Sequence, residues 1–284
     1  MQADSPTMLH PLVITRPAGA AQAWQAALQP QLHGRACHVL PLIHITPRAA
    51  SLLRPYWQAL DQWQAVLFVS PAAVAHFFAA QPDAGQRWQA LAMRAWAVGP
   101  GTRRALLDAG VPANLIDSPP DEAPQFDSEA LWPWIQPQLA QAMRSGKKIL
   151  RVRGTDQPAT VPLAAGTGED LCAGQGRDWL ERAMQQAGVG VHSVAAYRRQ
   201  APVWNAEQTR AAHALAGVPA VWLFSSGLAV QHLADQFSDR NWAHASALAT
   251  HTRIAQRAQA LGFGQVLSCR PTVDDVVHSL QSCP

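Results

Sequence analysis

Charge is scarce in this chain, and so are most of the signals that betray function early. Only 14% of the 284 residues are charged, and the net charge is +3. Lys and Arg are scattered instead of gathered into a stripe, which argues against a nucleic-acid partner. Tyrosine occurs twice, at Tyr56 and Tyr197. The four cysteines (Cys37, Cys172, Cys269 and Cys283) show neither metal-ligand nor redox spacing. Reduced, structural thiols in a cytoplasmic protein are therefore expected, with no metal site. No apolar run reaches the roughly 20 residues that span a bilayer, so no membrane partner is expected. No basic region followed by an apolar run opens the chain, and no signal peptide is read. No glycine-rich dinucleotide fingerprint follows the first apolar segment, and no P-loop occurs. Gly99-Pro100-Gly101 lacks the later glycine such a loop needs. No cofactor is expected.

What is present is a repeat. Val-Leu-Phe-Val-Ser-Pro-Ala-Ala-Val-Ala-His-Phe runs from Val66, and Val-Trp-Leu-Phe-Ser-Ser-Gly-Leu-Ala-Val-Gln-His-Leu from Val221. Placing Ser70 on Ser226 superposes Phe68 on Phe224, Ala73 on Ala229, Val74 on Val230 and His76 on His232. Each copy reads as a buried strand, a small polar turn and a helix. A second echo follows each copy: Ala95 to Thr102 leads into a helix ending at Gly110, and Ala247 to Ile254 into one ending at Gly262. A third and weaker echo links Val13 to Arg16 with Leu150 to Arg153. The period is too long for a solenoid. With 48% apolar residues, the chain can build two cores. Two similar α/β domains are expected, with a ligand cleft between them.

Short strands alternate with helices of 10–15 residues, the pattern of parallel sheets covered on both faces. Strands are expected at Leu12 to Thr15, Ala65 to Val69, Ala95 to Val98, Lys148 to Arg153, Ala220 to Phe224, Ala245 to Ala249 and Gln265 to Ser268. A short edge strand is expected at Leu115 to Asp117. Ala36 to Ile45 and Val189 to Arg198 read as extended. Helices are expected over Pro47 to Leu60, Asp127 to about Ser145 and Gly176 to Gln186. Ser70 reads as an N-cap with Pro71 at the first helical position, and Thr272 with Asp275 as a capping box. Thr155 to Gly174, rich in Gly, Ala, Thr and Pro, reads as an inserted loop. Two proline-bounded segments, 41–47 and 197–202, read as connectors able to pair as a two-stranded hinge.

The order of the motifs resembles one family. Thr-Arg-Pro at 15–17, Leu-Pro-Leu-Ile-His-Ile at 40–45, Leu-Phe-Val-Ser-Pro-Ala-Ala-Val at 67–74 and Ala-Val-Gly-Pro-Gly-Thr at 97–102 come first. Arg-Val-Arg-Gly at 151–154, Ala-Ala-Tyr-Arg-Arg at 195–199 and Leu-Phe-Ser-Ser-Gly at 223–227 follow. In that series the chain is similar to the uroporphyrinogen-III synthases, over nearly its whole length. The resemblance implies two flavodoxin-like parallel-sheet domains joined by a two-stranded β linker. It implies a discontinuous domain of residues 1–42 and 202–284 and a second of 46–196. A simple split into N-terminal and C-terminal halves fits the repeat equally well. The implied enzyme is a carbon–oxygen lyase (a hydro-lyase) of heme, siroheme and cobalamin biosynthesis. It cyclises hydroxymethylbilane, a linear tetrapyrrole with eight carboxylates, inverting ring D with loss of water. A cytoplasmic monomer that takes its substrate from hydroxymethylbilane synthase is implied.

The resemblance makes Tyr197 the catalytic candidate, since a phenol can hydrogen-bond or donate to a departing hydroxyl. Without it, a strand tyrosine covering the hinge is the favoured reading; with it, the two stand level. Candidate substrate-binding residues are Arg16, Ser70, Gly99, Thr102, Arg153, Ser226 and Gly227. Backbone N–H groups at the helix starts near Ser70, Gly99 and Ser226 suit carboxylates, and arginine binds carboxylates in a bidentate way. Ser70 and Thr102 serve equally well as plain caps. The C-terminal echo departs from the pattern: His251 stands opposite Gly99, and Ile254 opposite Thr102. The competing readings are a periplasmic-type binding protein, a nucleotide-dependent enzyme, and a two-lobed small-molecule binder of the same fold that has lost activity.

Overall fold

The computed structural model describes residues 9–156 and 177–283. The chain opens with β1 (Leu12–Ile14), α1 (Ala18–Leu28), β2 (Cys37–Val39) and β3 (His44–Pro47). There follow α2 (Ala50–Gln58), β4 (Trp63–Phe68), α3 (Pro71–Phe78), α4 (Ala84–Ala90), β5 (Arg94–Ala97) and α5 (Pro100–Asp108). The middle continues with β6 (Ile116–Asp117), α6 (Ser128–Ser145), β7 (Lys148–Thr155), α7 (Arg177–Gln186) and β8 (Val191–Gln200). The last third holds α8 (Ala206–Ala216), β9 (Val221–Phe224), α9 (Gly227–Gln236), β10 (Ser246–Ala249), α10 (Thr252–Leu261), β11 (Gln265–Ser268) and α11 (Val273–Leu280).

Two compact units result. The first takes the described residues up to Ile45 together with those from Gln200 onward; the second is Thr46–Arg199. The first unit's sheet has the order β11-β10-β9-β1-β2, and the other sheet has the order β3-β8-β7-β4-β5-β6. Apart from β3, the five strands of each set pair in parallel. Numbered along the chain, the first set reads 2-1-3-4-5, the flavodoxin order. The second set is spatially the same, with β8 and β7 standing where β2 and β1 stand. Its chain order is permuted, because β7 and β8 come last in their unit instead of first. The strands the sequence echoes paired (β4 with β9, β5 with β10, β7 with β1) occupy matching places in the two orders.

Burial alternates along the strands as the pleat requires. In the first unit Leu12, Ile14, Val221, Leu223 and Leu248 join one buried cluster, and Val13, Trp222, Phe224 and Ala247 join the other. Helices therefore cover both faces, as in other parallel sheets. In the second unit Ala65, Leu67, Trp96 and Ile149 pack under α6 and α7. Beside Phe68 lies an aromatic stack in which the Trp57 ring stands 4.8 Å from Phe77 and the Phe78 ring 5.2 Å from Trp88. Both indoles are fully buried and both are satisfied: Trp57 Nε1 donates to the Phe77 carbonyl at 2.9 Å and Trp88 Nε1 to Met93 at 2.6 Å. Trp96, Trp222 and Trp242 are fully buried as well, so five of the eleven tryptophans are core residues.

Several local expectations shift. The extended stretch 36–45 divides into β2 and β3, which lie in different sheets. Neither α4 nor α8 is foreseen by the periodicity, although α8 carries a full capping box: Asn205 accepts from Gln208 N, and the Gln208 side chain accepts from Asn205 N. Thr272 caps α11, but the Asp275 carboxylate pairs with its hydroxyl, closing the motif through side chains. The reading of Thr155 to Gly174 as a loop falls mostly outside the described residues; Thr155 itself ends β7 and is buried.

Candidate active site

In open α/β sheets, ligands bind outside the carboxyl ends of strands where the winding reverses. In the second unit that point lies between β7 and β4, and there the sequence candidates meet. Ser70 follows β4 and caps α3, its Oγ accepting from Ala73 N at 3.1 Å. The same Oγ lies 2.9 Å from the Tyr197 hydroxyl, although the two residues are 127 apart in sequence. Tyr197 is 4% exposed. Gly154 on β7 makes room for it: a Cβ there would stand 2.5 Å from Tyr197 Cε2 and 2.6 Å from Cζ. Glycine is thus required by a close approach, not by its dihedral freedom. The His76 ring lies 5.7 Å from the Tyr197 ring.

The neighbouring helix start belongs to α5. Gly99 is its N-cap, in an extended conformation that any residue adopts, and no side chain caps it. The crowding here comes from Phe126, whose Cβ would lie 2.9 Å from a Gly99 Cβ. Pro100 has no N–H to offer, and Thr102 N donates to the Gly99 carbonyl at 3.1 Å. Thr102 is not the cap: it sits in the first helical turn, 3% exposed. The two turns abut, a Gly101 Cβ falling 3.5 Å from Pro71 Cγ. Arg153 is 6% exposed on β7, with Nε donating to the Gly154 carbonyl at 3.2 Å. Earlier on the same strand, Arg151 bonds Ser193 at 2.8 Å and Glu181 at 2.8 Å, which ties α7 to the sheet. At the far ends of β7 and β8, Arg199 clasps Asp156 at 2.7 and 2.9 Å.

The first unit's switch point lies between β1 and β9 and holds the other candidates. Arg16 follows β1, its guanidinium 4.0 Å above the Trp24 ring centroid. Its Nε and one terminal nitrogen are buried without a hydrogen-bond partner among the described residues. Burial lowers its pKa to about 10, so the group stays cationic at neutral pH. Unpaired buried donors on a cation are costly, and a carboxylate would offset that cost. Ser226 caps α9, accepting from Leu228 N at 3.2 Å. Gly227 lies under Arg257, whose guanidinium donates to the Gly227 carbonyl at 3.2 Å. His251 caps α10 through Nδ1, at 3.1 Å from Arg253 N. The turn opposite Gly99 is therefore closed by its own side chain, whereas the Gly99 turn is not.

No group of His, Cys, Asp and Glu able to hold a metal occurs among the described residues. Burial raises the Cys37 thiol to about 11; Cys269 is pushed to about 12, chiefly by burial and then by Asp275. Neither is a thiolate nucleophile near neutrality.

Residues 23–166 and 170–278 match the family model described as uroporphyrinogen-III synthase HemD. The chain belongs to the uroporphyrinogen-III synthase family. A solved structure of uroporphyrinogen-III synthetase from Helicobacter pylori superposes with a TM-score of 0.55 at 13% identity, covering 96% of this chain and 99% of that one. A mutant uroporphyrinogen III synthase from the extremely thermophilic bacterium Thermus thermophilus covers 96% and 98% at 16% identity, with a TM-score of 0.49. No curated protein matches the sequence. The Helicobacter structure supports the two-domain α/β fold of a uroporphyrinogen-III synthase; the family assignment rests on the sequence model. Within this family member, the Ser70–Tyr197 pair was not legible from the motifs separately, and neither were Gly154 as its wall and Arg257 over Gly227. Only the sheet order brings them together.

Proposed function

We propose that this chain catalyses the family's reaction, the ring-inverting cyclisation of hydroxymethylbilane to uroporphyrinogen III, and that Tyr197 assists departure of the hydroxyl. The observation that carries the assignment of Tyr197 is its hydrogen bond to Ser70 at the switch point of its unit. Ser70 Oγ already accepts from Ala73 N, so its own proton is free to point at the phenol oxygen. The phenol's proton then remains available to the leaving hydroxyl, which departs as water. The cation left on ring A attacks the substituted carbon of ring D. The resulting spiro intermediate fragments and recloses with ring D inverted, and the proton lost as the ring D pyrrole is restored returns to the phenolate. Free in solution the same cation closes without inversion, so the protein's main contribution is to hold the chain in the conformation that exposes the disfavoured carbon.

The substrate's carboxylates supply the handles. Arg16, with buried donors left open, takes one of them. The uncapped start of α5 at Gly99, with Thr102 in its first turn, and the Ser226–Gly227 turn take others. Arg153 contributes by holding the carbonyl of Gly154, the residue against which the Tyr197 ring packs. A net charge of +3 suits a polyanion. The reaction is that of a hydro-lyase and needs no cofactor. We place the enzyme in the cytoplasm as a monomer supplied by hydroxymethylbilane synthase. No helix among the described residues is long and apolar enough to cross a membrane.

The test is a coupled assay in which hydroxymethylbilane is generated in place and the type I and type III porphyrin isomers are resolved by chromatography. Type III product is expected. Type I alone, at the rate seen without protein, would leave the inactive binding protein as the better reading.

A further inference from the structure

Tyr197 is held at more than its hydroxyl. One hydrogen bond fixes a distance but leaves the plane of a phenol ring free to swing about it. The Ser70 bond alone would therefore not aim the hydroxyl at a substrate. Two further contacts restrict the ring. Gly154 backs it so closely that any side chain there would overlap Cε2 and Cζ. His76 approaches it from α3, ring to ring at 5.7 Å with the planes tilted by 40°. Ser70 and His76 are the cap and a later residue of one helix, so hydroxyl and ring are referenced to the same rigid body.

The geometry points to His76 as a positioning residue of the reaction: it fixes the plane of the Tyr197 ring so that the hydroxyl keeps both its Ser70 bond and its aim at the departing group. This rests on the reading of Tyr197 given above. Two further observations fit. Burial alone lowers the His76 pKa, so the imidazole is neutral near pH 7 and adds no charge beside a site where a cation develops. The repeat also gives His76 a counterpart. His232 occupies the equivalent place in α9, is buried, and has Nδ1 2.6 Å from the Leu42 carbonyl. In each copy this helix histidine fixes a residue of a segment that the sequence marks as a connector. In the first unit that residue is a backbone carbonyl; in the second it is the phenol.

The experiment uses the two-tyrosine composition. Protein labelled with ring-¹³C tyrosine gives two signals, and Tyr197→Phe identifies the one from Tyr197. In His76→Leu the Tyr197 signal is expected to move while that of Tyr56 stays. With hydroxymethylbilane, kcat is expected to fall about five-fold, the scale of a sub-ångström misplacement, with KM within about two-fold. Adding His76→Leu to Tyr197→Phe should lower kcat no further, because no hydroxyl remains to be aimed. Gly154→Ala presses the ring from the other side and should move the same signal and lower kcat, so the inference is testable even if His76→Leu folds poorly. An unmoved Tyr197 signal in folded His76→Leu, or effects of His76→Leu and Tyr197→Phe that multiply, overturns the inference. Failure of the underlying reading shows separately, as Tyr197→Phe alone leaving kcat unchanged.

Discussion

Single side chains set what this site can do, and under the proposed function the atom that matters most is the Tyr197 oxygen. Removing it in Tyr197→Phe keeps the ring against Gly154 and His76 but takes away the proton. Turnover is expected to fall about ten-fold, within the range that one acid-type contact supplies. It should not vanish, because the ring A cation forms readily without help. Steady-state kinetics with isomer analysis checks both points. In the proposed function Arg16 acts in binding. Arg16→Gln should raise KM by roughly ten-fold and leave kcat nearly unchanged, as loss of one charge-assisted carboxylate contact does. Two histidines add a pH effect on stability. His76 and His192 both have pKa values below the ordinary 6.5, through burial and, for His192, also through Lys148. Between 6.5 and those lower values the unfolded chain binds more protons than the folded one, so stability falls as pH drops through that window. Urea midpoints at pH 7.5 and pH 5.5 should differ less in His76→Leu than in the parent; an equal difference would remove His76 from the account.

Elements form where a local signal and a buried face agree. α6 shows this: Asp127 caps it by accepting from Ala130 N at 2.9 Å, and Leu131, Ile135, Leu139 and Ala142 line its buried side. Its prolines, Pro133 and Pro137, lie between those positions, and the helix persists because its apolar face is covered. Asp127→Ala should cost about 1 kcal/mol, read from the shift in denaturation midpoint at constant m-value. The strands were legible because parallel strands buried on both faces are written as continuous apolar runs, as Val66 to Phe68 and Val221 to Phe224 are. α8 was not, since its three buried residues are Ala212, Leu215 and Ala216, too small a stripe to stand out. The site follows the same division. Ser70 as a cap is a local property and was readable. The approach of Tyr197 to Ser70 depends on β8, β7 and β4 lying in that order, which no local pattern encodes. Thr102 failed as a cap for a related reason: Gly99 already occupies that position, one turn earlier than the hydroxyl suggests.

At the scale of the whole molecule the question is which parts of the chain can fold without the others. β1 lies between β9 and β2, and Leu12, Val13 and Ile14 are fully buried. A sheet begun by residues from the N-terminal end is thus completed by residues more than 200 positions later, with Leu12 in register with Val221. Arg35 secures the same unit from outside the sheet, donating to the carbonyls of His10 at 2.7 Å, Cys283 at 3.2 Å and Leu280 at 3.3 Å. Arg35→Met should lower stability by about 2 kcal/mol, since a buried cation's hydrogen bonds are lost and carbonyls are left unpaired. Among the described residues the core of the second unit shows no such dependence. Its cluster under α6 and α7 runs from Ala65 to Val191, entirely within Thr46–Arg199, while the clusters about the first sheet combine residues near both ends of the chain. A fragment of residues 46–199 should therefore fold alone, giving a cooperative thermal transition and dispersed amide signals. A fragment of residues 200–284 should not, because Val221 to Phe224 would become an open edge without β1, and their buried side chains would lose one flank of their packing. Adding residues 1–45 in trans should restore order to the second fragment. A disordered 46–199 fragment, or an independently folded 200–284 fragment, would show that buried clusters and strand pairing do not decide where this chain divides.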